Sequence, residues 1–278
     1  MKKTTLILAL VLITTITYSQ KKEKIKGSKI VTTEIKKIES FQSIEVGDNL
    51  EVFLVKGNEC GLEIEADDNL HEAIDASISG SNLRLSTLKN ISSYKKISIR
   101  VTYTSDFKLV VVRNEAVVSA IAEIDLDNIT FKTYDYSKLF LNSKSKNFSL
   151  FMDDKSEAEL NSKGEETIIN LSKSASLKAQ VNSNNFTLDL YQKSDALLTG
   201  DVEQLKVRVD NNANLDAKAL GVKNAELTCE AYSNVKLLVK NTLSIDASGK
   251  AEIHLYGDQK IDMKRFVDNA VLTKKPTK

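Results

Sequence analysis

The chain has 278 residues, of which 39 are lysine or arginine and 38 are aspartate or glutamate, so its formal net charge is +1. This balance argues against nucleic acid as a partner, because a nucleic-acid-binding face is normally strongly basic. Hydrophobic residues make up 41% of the chain, which is enough to bury a sizeable core. The single proline, Pro276, favours long ladders of hydrogen bonds, because proline lacks the N–H that such ladders need.

The N-terminus has the pattern of an export signal. Two lysines follow the initiator methionine, residues 6–16 form an apolar run, and Thr17-Tyr18-Ser19 has the spacing of a cleavage site. We therefore expect residues 1–19 to be a signal peptide and the mature chain to begin at Gln20. The apolar run is too short to span a membrane, so no transmembrane segment is expected in the mature chain.

Two less regular regions follow the export signal. Residues 20–40 begin with the basic stretch 21–26, and we interpret this region as a solvated basic tail rather than a docking patch. Residues 41–102 contain candidate strands at uneven spacing and are expected to form an irregular cap region of the domain. Within them, Asp68 is expected to cap a short helix over residues 69–74.

From residue 129 onward, apolar triplets with period-2 spacing recur at a nearly constant interval. The triplets are Ile129, Phe131, Thr133; Phe148, Leu150, Met152; Thr167, Ile169, Leu171; Phe186, Leu188, Leu190; Leu205, Val207, Val209; Ala225, Leu227, Cys229; and Leu243, Ile245, Ala247. Their starts are 19, 19, 19, 19, 20 and 18 residues apart. Because alternation with period 2 is typical of a strand that buries one face, each triplet predicts one strand of a repeating unit.

A second set of triplets follows the first inside each unit. Its members are Ser137, Leu139, Leu141; Ser156, Ala158, Leu160; Ala175, Leu177, Ala179; Ser194, Ala196, Leu198; Ala213, Leu215, Ala217; Ser233, Val235, Leu237; and Gly249, Ala251, Ile253. The offset between the two sets is 8 residues in every unit except the last, where it is 6. The first member is always small, which predicts an inside corner with no room for a larger side chain.

Two apolar columns that share one period predict an all-β solenoid with coils of about 19 residues. Neighbouring coils would stack ~4.8 Å apart, because one unit alone cannot bury its apolar face. The polar segments 142–147, 161–166, 182–185 and 199–204 are predicted to be solvent-facing turns. We expect a single solenoid domain over residues 41–272, with regular coils over 103–255, a C-terminal cap over 256–272 and a tail over 273–278.

The sequence offers few groups for catalysis or metal binding. His71 and His254 are the only histidines, and we interpret both as ordinary surface residues. Asp67-Asp68 and Asp153-Asp154 are candidate weak Ca²⁺ ligands, but acids of turns are the preferred interpretation, because no Gly-rich calcium-binding nonapeptide occurs. The sequence therefore predicts no catalytic, cofactor-binding or metal-binding residues, and it predicts no cofactor.

The remaining candidates for a functional role are exposed aromatic residues and the two cysteines. Six aromatic residues are expected on the outside or at corners: Tyr134, Tyr136, Phe140, Phe151, Tyr191 and Tyr232. Aromatic rings on a β surface can stack on sugars or contact proteins, but these do not line up in one column, so we interpret them as scattered surface residues. A disulfide between Cys60 and Cys229 is permitted after export, although two unpaired cysteines are favoured.

Several segments resemble a known family. Residues 41–54 (FQSIEVGDNLEVFL), 62–70 (LEIEADDNL), 80–85 (GSNLRL), 256–258 (YGD) and 266–270 (FVDNA) are similar to the family called "putative auto-transporter adhesin, head GIN domain". The resemblance covers nearly all of the expected mature chain. It implies a right-handed parallel β-helix-like domain on an exported protein, and it implies no catalytic residue.

These observations lead to one functional hypothesis and two alternatives. The hypothesis is an exported, non-enzymatic β-solenoid that presents a rigid surface to an unknown protein or glycan in the periplasm, at the cell surface or outside the cell. One alternative is a polysaccharide-active enzyme on the same scaffold. The other is a structural or signalling component of an envelope complex.

Overall fold

The computed structural model describes residues 22–277. Strands account for 66% and helix for 2% of the structure, and the chain winds into a β-solenoid of about 9 turns with coils of about 19 residues. The predicted all-β solenoid and its coil length are therefore confirmed. The export signal predicted over residues 1–19 lies outside the described residues.

Twenty-three strands and one 3₁₀ helix, Asp68–Ala73, make up the described part of the chain. The N-terminal strands are β1 (Lys24–Lys26), β2 (Val31–Lys36), β3 (Ser43–Val46), β4 (Glu51–Lys56), β5 (Gly61–Asp67), β6 (Ile74–Ser79), β7 (Asn82–Thr87), β8 (Asn90–Ser92), β9 (Ile97–Tyr103), β10 (Leu109–Val112), β11 (Val117–Ala120) and β12 (Ile124–Asp125). The later strands are β13 (Asn128–Thr133), β14 (Lys138–Lys144), β15 (Asn147–Met152), β16 (Glu157–Leu171), β17 (Ser176–Leu190), β18 (Asp195–Val209), β19 (Asn214–Cys229), β20 (Asn234–Ala247), β21 (Glu252–Tyr256), β22 (Lys260–Phe266) and β23 (Val271–Lys274).

Each regular coil has a first arm and a second arm. In β17, residues 176–183 form the second arm of one coil, and residues 185–190 form the first arm of the next. Successive strands pair in parallel and in register, so that Leu188 lies between Ile169 and Val207. All members of the two predicted inward columns are buried except Gly249. The period-2 interpretation is therefore confirmed residue by residue.

The exception, Gly249, marks an error in the predicted register of the last unit. Val235 pairs with Ile253, and Leu237 pairs with Leu255, so the inward triplet is Ala251, Ile253 and Leu255. Ala251 therefore takes the small corner position, 8 residues after Leu243, as in the other units. Gly249 instead has a φ of 70° and forms the turn before that position.

The predicted turns between the second and first arms are wrong for the regular coils. Residues 161–166, 182–185 and 199–204 lie inside the continuous strands β16, β17 and β18. Their inward residues include the small Ser162, Ser183 and Gly200 as well as the buried Val202. A side chain at Gly200 would meet the backbone of Val181, so the coils approach closely there. The polar composition of these segments therefore led to the wrong prediction of turns where the chain forms strands.

The corner between first and second arm contains a left-handed residue in every coil except that of β7 and β9. Positive φ values occur at Asp48, Asn114, Asp135, Asp154, Lys173, Gln192, Lys193, Asn211, Asn212, Ala231, Gly249 and Asp268. Asp and Asn tolerate this conformation better than most residues, because their short side chains form local hydrogen bonds. Their carboxylate or amide oxygens also accept from the backbone N–H at the equivalent position of the preceding coil, as Asp135 does from Asn114 (2.9 Å).

The first three coils do not follow chain order. β3 lies between β7 and β10, and β4 lies between β9 and β11, all in parallel. The coil of β7 and β9 is therefore outermost, although its residues come after those of β3 and β4. β5 and β6 then pair antiparallel with β9 and β7. The buried Leu70 and Ala73 of the 3₁₀ helix pack in the same core.

Residues 22–40 are exposed or partly exposed, in keeping with the predicted solvated region, but they include strands and so are not a simple tail. β1 pairs with β8, and β2 pairs antiparallel with β5. β2 has no clear alternating pattern in the sequence, because it has only two apolar residues and one of them, Ile35, faces outward and is 77% exposed. The predicted helix cap also needs correction, since Asp67 rather than Asp68 precedes the helix, and its side chain forms no capping bond.

The C-terminal strands β22 and β23 form one further coil. Among the described residues, no other strand pairs with their outer edges. β22 carries Lys260, Lys264 and Arg265 and has an irregular register opposite β20. Charged residues and bulges of this kind discourage pairing with other chains. Across residues 22–277 we find no helix with the length and apolar character needed to cross a bilayer.

Candidate functional site

The two histidines lie far apart in the fold. His71 is not the ordinary surface residue that was predicted, because its side chain is only 14% exposed. Its Nε2 lies 2.9 Å from Thr32 Oγ1, and its Nδ1 lies 3.5 Å from Glu34 Oε2. Both partners belong to β2, which covers the helix. His254 lies on the outer face of β21, between the buried Ile253 and Leu255.

The acid pair at Asp153-Asp154 stabilises a corner. Asp153 Oδ1 accepts from Ser172 Oγ (2.7 Å) and from the Asp154 backbone N–H (2.8 Å). Lys173 Nζ lies 3.1 Å from Asp153 Oδ2 and 2.7 Å from Asp154 Oδ1. Burial by itself raises the pKa of Asp153, but these hydrogen bonds and the lysine hold it below its ordinary value. The two carboxylates thus already have partners within the protein, in the place where a Ca²⁺ ion would otherwise bind.

Asp67 has a comparable role at the N-terminal end. Its fully buried carboxylate accepts backbone N–H groups from Lys29 (2.9 Å), Lys95 (3.1 Å) and Lys96 (3.1 Å). Burial raises its pKa, but these three hydrogen bonds outweigh burial and lower it overall. Asp67 therefore ties three segments of chain together. Within residues 22–277, no group of three or more His, Cys, Asp or Glu side chains could hold a metal ion.

Both cysteines are free. Cys229 is buried in the core, while Cys60 is partly buried before β5. Burial, with Asp210 and Glu230 nearby, raises the pKa of the Cys229 thiol to about 12. Because the thiolate is the reactive form, Cys229 acts as a small apolar core residue.

The six aromatic residues all point outward or lie at corners, and they occupy four different columns. Five of them have a cation over the ring: Arg113 over Tyr134, Lys155 over Tyr136, Lys132 over Phe151, Arg208 over Tyr191 and Lys250 over Tyr232, at 4.3–5.9 Å. Phe140 differs, because no cation of the described residues covers its ring. It is 37% exposed, so part of its ring is accessible to a ligand.

Phe140 lies in a groove on the outer face of the second arm, which we call the lateral groove. The groove is lined by Ser119, Ala120, Phe140, Leu141, Asn142, Glu159, Leu160, Asn161, Lys178, Ala179, Gln180, Leu197 and Thr199. Parallel pairing places Phe140, Glu159, Lys178 and Leu197 in one column. The same pairing places Asn142, Asn161, Gln180 and Thr199 in a second column.

The amides of the lateral groove differ from those amides that bond between coils. Examples of bonded amides are Asn214 Nδ2 to Asp195 Oδ1 (2.8 Å) and Asn147 Nδ2 to Asn128 Oδ1 (2.7 Å). Within the described part of the chain, Asn142, Asn161 and Gln180 form no side-chain hydrogen bond. Stacking alone therefore does not use their hydrogen-bonding capacity.

The groove carries one charge of each sign. Glu159 Oε1 lies 3.7 Å from Lys178 Nζ, and both side chains are well exposed. An exposed pair at this distance contributes little to stability, about 0–1 kcal/mol. Its consequence is electrostatic, because the two charges offset each other and leave the groove close to neutral.

A network of charged residues lies on the outer face of the first arm. Arg208 Nη2 lies 2.8 Å from Glu230 Oε2, and Arg265 contacts the same glutamate at 3.0 Å and Asp246 at 2.6 Å. Burial raises the pKa of the half-buried Asp189, although Arg208 and Lys206 oppose this effect. The network links side chains of neighbouring coils. Glu230 and Asp246 are paired with arginines, and Asp189 is half-buried near Arg208.

The sequence pattern does not predict the lateral groove. Residues 142–147 and 161–166 are predicted to be turns from their composition, and this interpretation does not place their amides beside Phe140. A usable signal was the 19-residue spacing of Asn142, Asn161 and Gln180, which shows an amide at one position of three successive coils. What could not be derived from spacing was that these amides lack partners.

Comparisons with known proteins agree with the fold. A putative adhesin from Parabacteroides distasonis superposes with a TM-score of 0.65 at 12% identity, over 91% of this chain and 100% of that chain. A putative adhesin from Parabacteroides merdae gives 0.62 at 16% identity, over 92% and 100%. A "putative lipid binding protein" from Parabacteroides distasonis gives 0.60 at 14%, over 91% and 100%. The comparison with curated proteins found no match.

The long parallel coils and their lateral groove define a β-solenoid with an open outer surface. The family model described as "putative auto-transporter adhesin, head GIN domain" matches residues 40–258. The chain belongs to this family, and the predicted resemblance is confirmed.

Proposed function

We propose that the protein is exported and acts in the cell envelope or at the cell surface as a non-enzymatic binding protein, with the lateral groove as its binding site. The observation that carries this proposal is the column of unpartnered amides beside the free ring of Phe140. Strands paired on both sides hold these groups in fixed positions, and a preorganised surface loses little entropy when it binds a partner. Membership of an adhesin family supports the same role.

Export is tested by fractionating cells that express the full chain. The periplasmic or extracellular protein is expected to begin at Gln20, as N-terminal mass analysis would show. An intact Met1 in those fractions would contradict cleavage after Ser19.

Binding is tested with the mature protein coupled to beads and native cell-surface material. We expect retention that Phe140→Ala reduces and Phe151→Ala leaves unchanged. Phe151 is a matched control, because its exposure of 36% is close to the 37% of Phe140, whereas it lies on the first arm and outside the groove. Equal retention of both variants would count against the groove.

The enzyme alternative predicts turnover of acidic or neutral glycans. Reproducible depolymerisation that is abolished by Asp189→Asn would overturn the non-enzymatic assignment. The structural or signalling alternative instead predicts one partner that co-purifies from membranes at fixed stoichiometry and does not depend on Phe140.

A further inference from the structure

We propose that the lateral groove binds an extended, neutral glycan whose chain runs along the solenoid axis. This inference rests on the proposed function, because it names the ligand class of the same site. Asn142, Asn161, Gln180 and Thr199 present an amide or hydroxyl from four successive coils. Coils repeat every ~4.8 Å, which is close to the length of one sugar unit in an extended glycan.

The hydrogen-bonding chemistry of the groove matches sugar hydroxyls. An amide offers both donors and an acceptor, and a hydroxyl can answer either. Asn161 Oδ1 is buried and has no hydrogen-bond partner among the described residues, whereas the amides of Asn214 and Asn234 bond between coils. A hydroxyl of a polyhydroxylated ligand in the groove would supply the donor that Asn161 Oδ1 lacks.

The apolar groups are placed for the C–H faces of sugar rings. Phe140 and Leu197 stand at the two ends of one groove column and are 37% and 46% exposed. An aromatic face without a covering cation is a suitable stacking surface. Between them, Glu159 and Lys178 offset each other in charge, which favours a neutral glycan over an acidic one.

Other extended ligands fit less well. A peptide that binds as an added strand needs a free sheet edge. The groove strands β14, β16, β17 and β18 are paired on both sides, so they offer none. An acyl chain needs an apolar floor, but Leu141, Leu160 and Ala179 are only 5–6% exposed.

The test uses the mature full-length protein on an array of neutral and acidic glycans. Calorimetry then follows the strongest neutral ligand as oligomers of increasing length. We expect affinity to rise with length until the oligomer spans the four groove coils and then to level off. Gln180→Ala and Phe140→Ala should each weaken binding about ten-fold, the loss of roughly one good contact.

The controls are Asn214→Ala, in a self-bonded amide column, and Phe151→Ala; both should bind like the unmodified protein. Circular dichroism and melting curves must show that all four variants fold. Absence of neutral-glycan binding, or unchanged binding by the folded groove variants, would overturn the inference. Groove-dependent binding of a protein or an acidic glycan would also overturn it but leave the proposed function standing. Failure to bind any surface material would remove the proposed function itself.

Discussion

At the scale of single residues, the left-handed corner residue links each coil to its neighbour. Asp135 has a φ of 60° and accepts a hydrogen bond from the Asn114 backbone N–H, while Asp154 accepts one from Asp135 (3.2 Å). One short acidic side chain thus stabilises both a strained conformation and a contact between coils. Larger residues such as Lys173 and Gln192 also adopt the left-handed conformation in other coils, but without this hydrogen bond between coils.

Replacing Asp135 separates these two contributions. Asp135→Ala should destabilise the protein by about 1–2 kcal/mol, because it removes the hydrogen bond and the tolerance of positive φ. Asp135→Gly keeps the conformation accessible and should cost less. Urea unfolding measures both values, and an equal loss for the two variants would show that the backbone conformation does not matter.

Asp67 should make stability dependent on pH in the acid range. Its folded pKa lies below the ordinary value of 3.8, so its stabilisation is complete above that value and is lost as pH falls through the folded pKa. Unfolding curves should show that Asp67→Asn is less stable at neutral pH and loses less on acidification. Since Asp48 and Asp153 also have lowered pKa values, the difference between variant and parent isolates Asp67. Parallel pH profiles would contradict this role.

The small corner column offers a third residue-level test. Ser194 Oγ is buried without a partner, whereas Ser137 Oγ donates to the Tyr134 carbonyl at 2.7 Å. Ser194→Ala should therefore be neutral or slightly stabilising, and Ser137→Ala should cost about 1 kcal/mol. Ser194→Phe should cost roughly 1–3 kcal/mol or more through overpacking. A harmless phenylalanine, measured by chemical denaturation, would refute the inside corner.

At the scale of elements, the alternation along each strand decides which side chains carry stability. Leu188 is fully buried between its equivalents in the adjacent coils, while its neighbour Asp189 lies on the outer face. Leu188→Asp should cost several kcal/mol, because it buries a carboxylate without a partner. Asp189→Leu should change stability by less than about 1 kcal/mol. Chemical denaturation compares the two, and similar damage would show that the assigned alternation is wrong.

How far the sequence predicts this structure depends on which property fixes each element. Inward columns such as Leu150, Leu188 and Val207 are set by hydrophobic burial, which leaves a periodic trace. β2 leaves none, because Ile35 faces solvent and its pairing with β5 comes from tertiary contact. The groove lies between these cases, since the spacing of its amides is visible but their lack of partners is a property of the packed coils.

At the scale of the whole molecule, each coil contacts mainly its neighbours, so stability is approximately a sum over adjacent pairs. Deleting residues 258–278 removes only the C-terminal coil, of β22 and β23. Deleting residues 20–56 removes β3 and β4 from between two other coils.

We therefore expect hydrogen exchange to give different results for the two truncations. The C-terminal deletion should raise exchange only in β20 and β21, whereas the N-terminal deletion should expose residues 61–121 as a unit. Mass spectrometry of peptides from both regions provides the measurement. Comparable local effects from both deletions would contradict the coil order.

The interleaved coils also constrain the time course of assembly. β3 and β4 pair with no strand that precedes residue 82. A chain that leaves the ribosome, or crosses an export channel, with its N-terminus first must carry these strands unpaired until later segments arrive. Closing so long a loop costs chain entropy before any pairing offsets it. The solenoid therefore cannot grow by winding from its first residue, and the end that is synthesised first waits for residues that are synthesised later.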